Sequence, residues 1–132
     1  MSSGITSKDE HYEEFHSVFI EEFKNMLDTY SQALRKLRNI EPKETRLEGF
    51  RDIFRIYHTI KGTAGYFQDY QKLSEFAATY CELFRNVENN DIDELELINW
   101  ARKGFTQLSS SFFAIRRGGS VNAYRYILPP IN

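Results

Sequence analysis

The sequence predicts an all-α protein, an up-down-up-down antiparallel four-helix bundle. Apolar residues recur at three- and four-residue intervals in four long segments, which is the period of amphipathic helices. The breaks between these segments are short, so consecutive helices run antiparallel. No stretch alternates apolar and polar residues as a surface strand does. The 132 residues form one domain by size, which we divide into a disordered N-terminus (1–8), a helical bundle (9–118) and a non-helical tail or linker (119–132).

The first helix is predicted from near residue 8 to about residue 38. Ser7 and Glu10 have the spacing of a capping box, in which two side chains bond the free backbone N–H groups of a helix start. The apolar stripe that follows consists of Phe15, Phe19, Phe23, Met26, Leu27, Tyr30, Leu34 and Leu37. Glu and Lys fill the opposite face, as in a long helix with one side on a core.

The second helix is predicted over roughly 42–67, with Pro42 in its first turn. The third follows a short break, with Asp69 as its N-cap and an end near residue 88. The apolar stripes are Phe50, Ile53, Phe54, Tyr57, Ile60 and Ala64 in the second helix and Leu73, Phe76, Ala77, Tyr80, Phe84 and Val87 in the third.

The fourth helix starts at a second possible capping box, Asp91 with Glu94, and Gly118-Gly119 ends it. Its stripe consists of Leu95, Ile98, Ala101, Phe105, Leu108, Phe112 and Ile115. The residues beyond have no helical period, and Pro129-Pro130 disfavour a helix there. This segment is either a linker or an arm that packs on the bundle.

Composition narrows the class of protein. With 11 Phe and 8 Tyr, we expect a core built from aromatic rings. The net charge of -2 argues against nucleic acid as a partner, because such proteins usually carry a basic excess. The single cysteine, Cys81, cannot form an internal disulfide, which favours a reducing, cytoplasmic setting. No apolar run approaches the roughly 20 residues needed to cross a membrane, and residues 1–10 lack the apolar segment of a signal peptide.

Metal binding and ATP binding are two further functions that the sequence gives little reason to expect. Glu13 and His16 have the spacing of a di-iron ligand pair, but such a site needs a second pair and two further glutamates, so a solvated helix face is the better interpretation. We therefore predict no metal site. No Walker-type phosphate loop is present, so the chain should not bind ATP by itself.

The segment around His58 carries the strongest functional signal. His58 lies at the edge of the apolar stripe of the second helix, with Lys61 and Gly62 one turn further on. A glycine inside a helix costs about 1 kcal/mol relative to alanine, and this helix has both Gly62 and Gly65. Gly65 would let a neighbouring helix approach, and Gly62 would leave open space beside the imidazole. A histidine with a nearby ammonium and clearance suits a nucleophile or phosphoryl carrier, although a hydrogen-bonded histidine at the core edge is the simpler alternative.

The run His58-Thr-Ile-Lys61-Gly62-Thr-Ala-Gly65-Tyr-Phe67 closely resembles the phosphorylation motif of histidine-containing phosphotransfer (HPt) domains, most of all those at the N-terminus of chemotaxis-type histidine kinases. The resemblance covers roughly residues 10–117 and is sharpest over 50–84. It implies a four-helix bundle with the phosphorylated histidine exposed on its second helix.

The resemblance implies a phosphocarrier in a two-component phosphorelay. His58 would accept a phosphoryl group from a histidine kinase ATP-binding domain or a response-regulator receiver domain and pass it to a receiver aspartate. Lys61 would stabilise the phosphate, and Gly62 and Gly65 would give clearance for docking. The chain would need no cofactor, since Mg²⁺ would belong to the partner receiver or kinase domain. We expect a monomer; whether it is part of a histidine kinase, and so of an enzyme, stays open.

One departure from the family pattern concerns support of the histidine ring. Chemotaxis-type members place a histidine and a glutamate on the third helix, where this sequence has Ala78 and Cys81. Glu82 and Glu75 are the remaining candidates to orient His58. The alternative function is a helical-bundle docking module that binds a receiver or another signalling protein without being phosphorylated.

Overall fold

The computed structural model describes residues 4–89, 91–122 and 124–130. Four α-helices are present in these ranges, namely Tyr12–Lys36 (α1), Lys43–Gly65 (α2), Gln71–Phe84 (α3) and Glu94–Arg116 (α4). α2 packs against both α1 and α3, and α1 also packs against α4, so the predicted all-α four-helix bundle is confirmed. None of the described helices combines the length and apolarity that a membrane span requires.

The core is built from aromatic rings, as the composition predicts. Its largest fully buried side chains include Tyr30, Tyr57, Tyr80, Phe23, Phe50, Phe76 and Phe84. The buried hydroxyls have partners: Tyr30 donates to the Ala101 carbonyl at 2.6 Å and lies 2.7 Å from the Tyr57 hydroxyl. Because Tyr30 uses its proton on that carbonyl, Tyr57 donates to Tyr30. Gly104 makes room for this pair, since a Cβ there would overlap the Tyr57 hydroxyl.

The predicted capping boxes are wrong. α1 begins at Tyr12, four residues later than expected, after His11 in a left-handed conformation with φ 65°. The preceding residues form a turn in which Asp9 accepts the Thr6 backbone N–H at 2.7 Å. α4 begins at Glu94 without a side-chain cap. Short polar side chains close turns as readily as they cap helices, and the spacing does not distinguish the two.

The break between α2 and α3 also differs from the prediction. Gln68–Tyr70 form a short 3₁₀ helix, and α3 starts at Gln71 with no side-chain cap, so Asp69 is not the N-cap. α3 ends at Phe84, before the predicted residue 88, because Val87–Asn89 form a second 3₁₀ helix. Tight 3₁₀ turns of this kind are common at helix ends, where the apolar period continues but the α-helical hydrogen bonds stop.

The N-terminal segment is ordered from residue 4, which corrects the expectation of disorder over 1–8; residues 1–3 lie outside the described ranges. The Ile5 N–H donates to the Tyr66 carbonyl at 2.8 Å, and the Gln68 N–H donates to the Ile5 carbonyl at 2.9 Å. This pairing forms an isolated parallel bridge between Ile5 and Phe67. The N-terminal segment is therefore held to the end of α2.

Gly118 ends α4 as predicted. It adopts φ 80°, its N–H donates to the Ile115 carbonyl, and the Gly119 N–H donates to the Ala114 carbonyl, which is a Schellman cap. The tail then folds back as an arm on α3 and α4, with the Tyr126 ring stacked on Phe76 at 4.3 Å between centroids. Residues 123, 131 and 132 of the tail lie outside the described ranges.

One buried side chain fastens this arm to the bundle. The Gln107 carboxamide accepts the Ile127 N–H at 2.5 Å and donates to the Ile127 carbonyl at 3.2 Å. The Tyr80 hydroxyl donates to the same carbonyl at 2.8 Å. Detaching the arm would break three hydrogen bonds to Ile127, so the arm is part of the folded domain.

His16 should make stability depend on pH. Its Nε2 forms a hydrogen bond with the Tyr70 hydroxyl, and burial lowers the pKa of His16 below the usual 6.5. Between the folded pKa and 6.5, His16 is therefore protonated to a greater extent in the unfolded chain than in the folded chain. The free energy of unfolding should therefore fall as pH drops through about 6.5 and level off once the pH is below the folded pKa.

Urea unfolding at several pH values between about 7.5 and about 5 would measure this loss. The variant His16→Gln should show a smaller decrease than the wild type. His11→Gln is the matched control, because the His11 side chain is 58% exposed. Equal pH dependence in the wild type and His16→Gln would contradict the assignment.

Candidate functional site

The candidate site is formed by the outward face of α2. Tyr57, Ile60 and Ala64 are buried in the core, which turns His58, Lys61 and Gly62 to the surface, where all three are exposed. The sequence places these residues within one helical turn of each other, and α2 keeps its α-helical conformation throughout the segment.

The His58 imidazole stacks on one aromatic side chain of α2. Its ring stacks on the Phe54 ring one turn earlier, with centroids 6.0 Å apart and an angle of 21° between the planes. Among the described residues, no side chain makes a hydrogen bond or an ion pair to either ring nitrogen. Both nitrogens are therefore accessible to water and to an incoming reactant.

Arg85 contacts the other member of this ring pair, Phe54. It is the residue that directly follows the end of α3. Its guanidinium carbon lies 5.5 Å from the Phe54 ring centroid, within range of a cation–π interaction. Glu82 holds this guanidinium, with its carboxylate oxygens 3.0–3.2 Å from the Arg85 nitrogens. The hydrogen bond with Glu82 raises the pKa of Arg85.

Sequence reasoning missed Arg85. The only local signal is its spacing of three residues from Glu82, which is common on exposed helices. Its position beside Phe54 depends on the register between α2 and α3, which the Phe50–Phe84 stack and the Ser74–Lys61 hydrogen bond define.

The structure brings neither predicted carboxylate to the imidazole. Glu82 is engaged by Arg85, and Glu75 is exposed on α3 without an ion pair among the described residues. Ala78, which stands at one of the third-helix positions matched to the family's supporting residues, has a methyl group that cannot orient a ring by hydrogen bonding.

Two cations lie on the same side of the α2–α3 pair. Burial raises the pKa of the Cys81 thiol, and the positive charges of Arg85 and Lys61 act in the opposite direction. Both charges are therefore close enough to influence Cys81, which is buried. The Glu82 carboxylate, which pairs with Arg85, acts on Cys81 against these two charges.

The two glycines have different surroundings. A Cβ at Gly62 would meet no atom within 4 Å, so the space beside His58 is open. A Cβ at Gly65 would lie 3.1 Å from Ser74 Oγ, and that hydroxyl donates to the Lys61 carbonyl at 2.7 Å. Gly65 thus permits close approach of α3, while Gly62 faces solvent.

Metal-ligating side chains do not cluster at this site. Within the described ranges, no group of three or more His, Cys, Asp or Glu residues is arranged to hold an ion. The Lys61 ammonium lies within one helical turn of His58 and can offset negative charge there.

Comparison with known families covers the region that contains the site. A model of the Hpt domain family matches residues 14–110, from the first turn of α1 to within α4. Searches of curated proteins and of solved structures returned no match. The family match spans well over half of the chain and includes His58, Lys61 and Gly62. This four-helix bundle, with its exposed histidine on the second helix, therefore belongs to the Hpt domain family.

Proposed function

We propose that the chain is a phosphocarrier in a two-component phosphorelay and that His58 is the residue phosphorylated. The observation that carries this proposal is the exposed imidazole on α2, which stacks on Phe54 and has no hydrogen-bond partner on either nitrogen among the residues that the structure describes. Membership of the Hpt domain family supports the same role.

The chemistry requires little from the chain beyond position and charge. The lone pair of a neutral His58 nitrogen attacks the phosphorus, the N–P bond forms, and the P–O bond to the donor breaks. The proton on the other ring nitrogen then passes to water. The Lys61 ammonium offsets the phosphate charge, as charge-assisted contacts do.

The partners follow from this chemistry. A receiver domain would exchange the phosphoryl group through its aspartate, and the ATP-binding domain of a histidine kinase is the other candidate donor. Either partner would supply the Mg²⁺, because phosphoryl transfer commonly relies on a metal to neutralise charge. The proposed carrier is a cytoplasmic monomer that does not bind ATP itself.

The test uses the full chain with two donors, a phosphorylated receiver domain and a kinase domain with ATP. Mass analysis of peptides should locate one added phosphoryl group at His58. The docking-module alternative predicts instead that a receiver binds the chain while His58 stays unmodified with both donors.

Gly62 should lower the stability of the folded chain while leaving room for a receiver domain beside His58. Gly62→Ala should raise the free energy of unfolding by about 1 kcal/mol, because alanine is the better helix former and its Cβ meets nothing. Gly62→Leu should fold equally well but weaken binding to a receiver that exchanges phosphate with the wild type, because the side chain fills the space beside His58.

Calorimetry of receiver binding would measure the Gly62 effect. Ser110→Leu, at an exposed position of α4, is the matched control for an added apolar side chain. Unchanged affinity in Gly62→Leu would show that the receiver does not approach over Gly62.

A further inference from the structure

Phe54 lies between the proposed phosphoacceptor and a fixed cation. Its ring stacks with His58 on one hand and contacts the Arg85 guanidinium on the other. Phe54 is half-buried and packs against the core, so its ring is a firmer support than a fully exposed side chain.

Arg85 is itself restrained. Its Nε lies 3.2 and 3.1 Å from the two Glu82 oxygens, and a terminal nitrogen lies 3.0 Å from one of them. This forked arrangement limits the rotamers open to a long side chain, because the planar guanidinium must match the carboxylate. The flat cation is thus held where it contacts the Phe54 ring.

We propose that Phe54 and Arg85 are positioning residues for His58. Glu82 holds Arg85, Arg85 packs on Phe54, and Phe54 stacks on the imidazole. Stacking thus orients a ring that no carboxylate within the described ranges bonds. In the part of the chain that the structure describes, this arrangement leaves both ring nitrogens free of hydrogen bonds. The inference rests on the proposed phosphorylation of His58 for its biological meaning, but the geometry can be tested without phosphate.

The first experiment is NMR of the unphosphorylated full chain. Stacking on Phe54 should shift the His58 ring protons upfield through the ring current. Arg85→Gln should remove part of that shift and increase the mobility of the His58 ring, and Phe54→Leu should remove most of it. Arg102→Gln removes the same charge from an exposed position on α4 and should change neither. An unchanged His58 spectrum in Arg85→Gln overturns the proposal.

The second experiment measures phosphorylation rates with phosphoramidate as a defined small donor. Phe54→Leu and Arg85→Gln should each slow phosphorylation about 5-fold, as misplacement of a reacting group does. The double variant should be no slower than Phe54→Leu alone, because Arg85 acts through Phe54. Phe54→Tyr keeps the ring and should keep the rate.

Additive losses in the double variant would overturn the proposal, because they would mean that Arg85 acts on the phosphate independently of Phe54. Phe54 is half-buried, so Phe54→Leu could slow phosphorylation through a folding defect. Arg85 is exposed, so Arg85→Gln tests the same proposal with the fold intact. If the wild type takes up no phosphate at His58 while the NMR results hold, the proposed function fails and the positioning stands.

Discussion

His58→Gln should abolish all acid-labile phosphate on the chain while leaving its helical content and unfolding midpoint unchanged. The glutamine amide nitrogen is not a nucleophile at neutral pH, because its lone pair is delocalised into the carbonyl. Folding should be unaffected because His58 is exposed and its ring stacks on Phe54 at the surface of α2. The expected loss is therefore complete for phosphate and close to zero for stability.

Phosphoramidate treatment followed by mass analysis, together with circular dichroism, would measure both effects. The chain has three histidines, and His11→Gln is the matched control because it changes another exposed imidazole and should retain full phosphorylation. Phosphate that persists in His58→Gln would assign the modification to a different residue. A His58→Gln chain that retains receiver binding and biological output would favour the docking-module alternative.

Gly104→Ala should lower the free energy of unfolding by about 2–3 kcal/mol, as overpacking of a core does. The new methyl group would overlap the Tyr57 hydroxyl and lie 2.9 Å from both the Tyr30 hydroxyl and a Tyr80 ring carbon. All three tyrosines are fully buried, so none can swing out into water. Relief requires a shift of α4 or the loss of the Tyr30–Tyr57 hydrogen bond.

Urea unfolding monitored by circular dichroism would measure this change, with Gly62→Ala as the comparison. The two substitutions are identical in chemistry and both lie inside helices, yet they should have opposite signs. Helix propensity favours alanine at each position, but only Gly104 faces neighbouring atoms. A stabilised Gly104→Ala chain would show that the tyrosine cluster adapts at low cost.

Prediction from sequence succeeded where neighbouring residues carry the signal. The period of the apolar residues placed four helices and put His58 on the outer edge of the second one, because a helix repeats every 3.6 residues whatever packs against it. The same reasoning failed at the ends of helices. Ser7 lies in a turn and Asp69 in a 3₁₀ helix. A short polar side chain has several local hydrogen-bonding choices, and its spacing in the sequence does not select among them.

The sequence by itself determined the bundle and the patch of His58, Lys61 and Gly62, since one helix turn brings these residues together. Only the tertiary structure decided that Arg85 contacts Phe54, that Gly104 admits the tyrosine pair and that the tail is an arm on α3 and α4. These contacts join residues distant in sequence. They depend on the register between helices and on side-chain rotamers, which the complete core determines and a local period cannot encode.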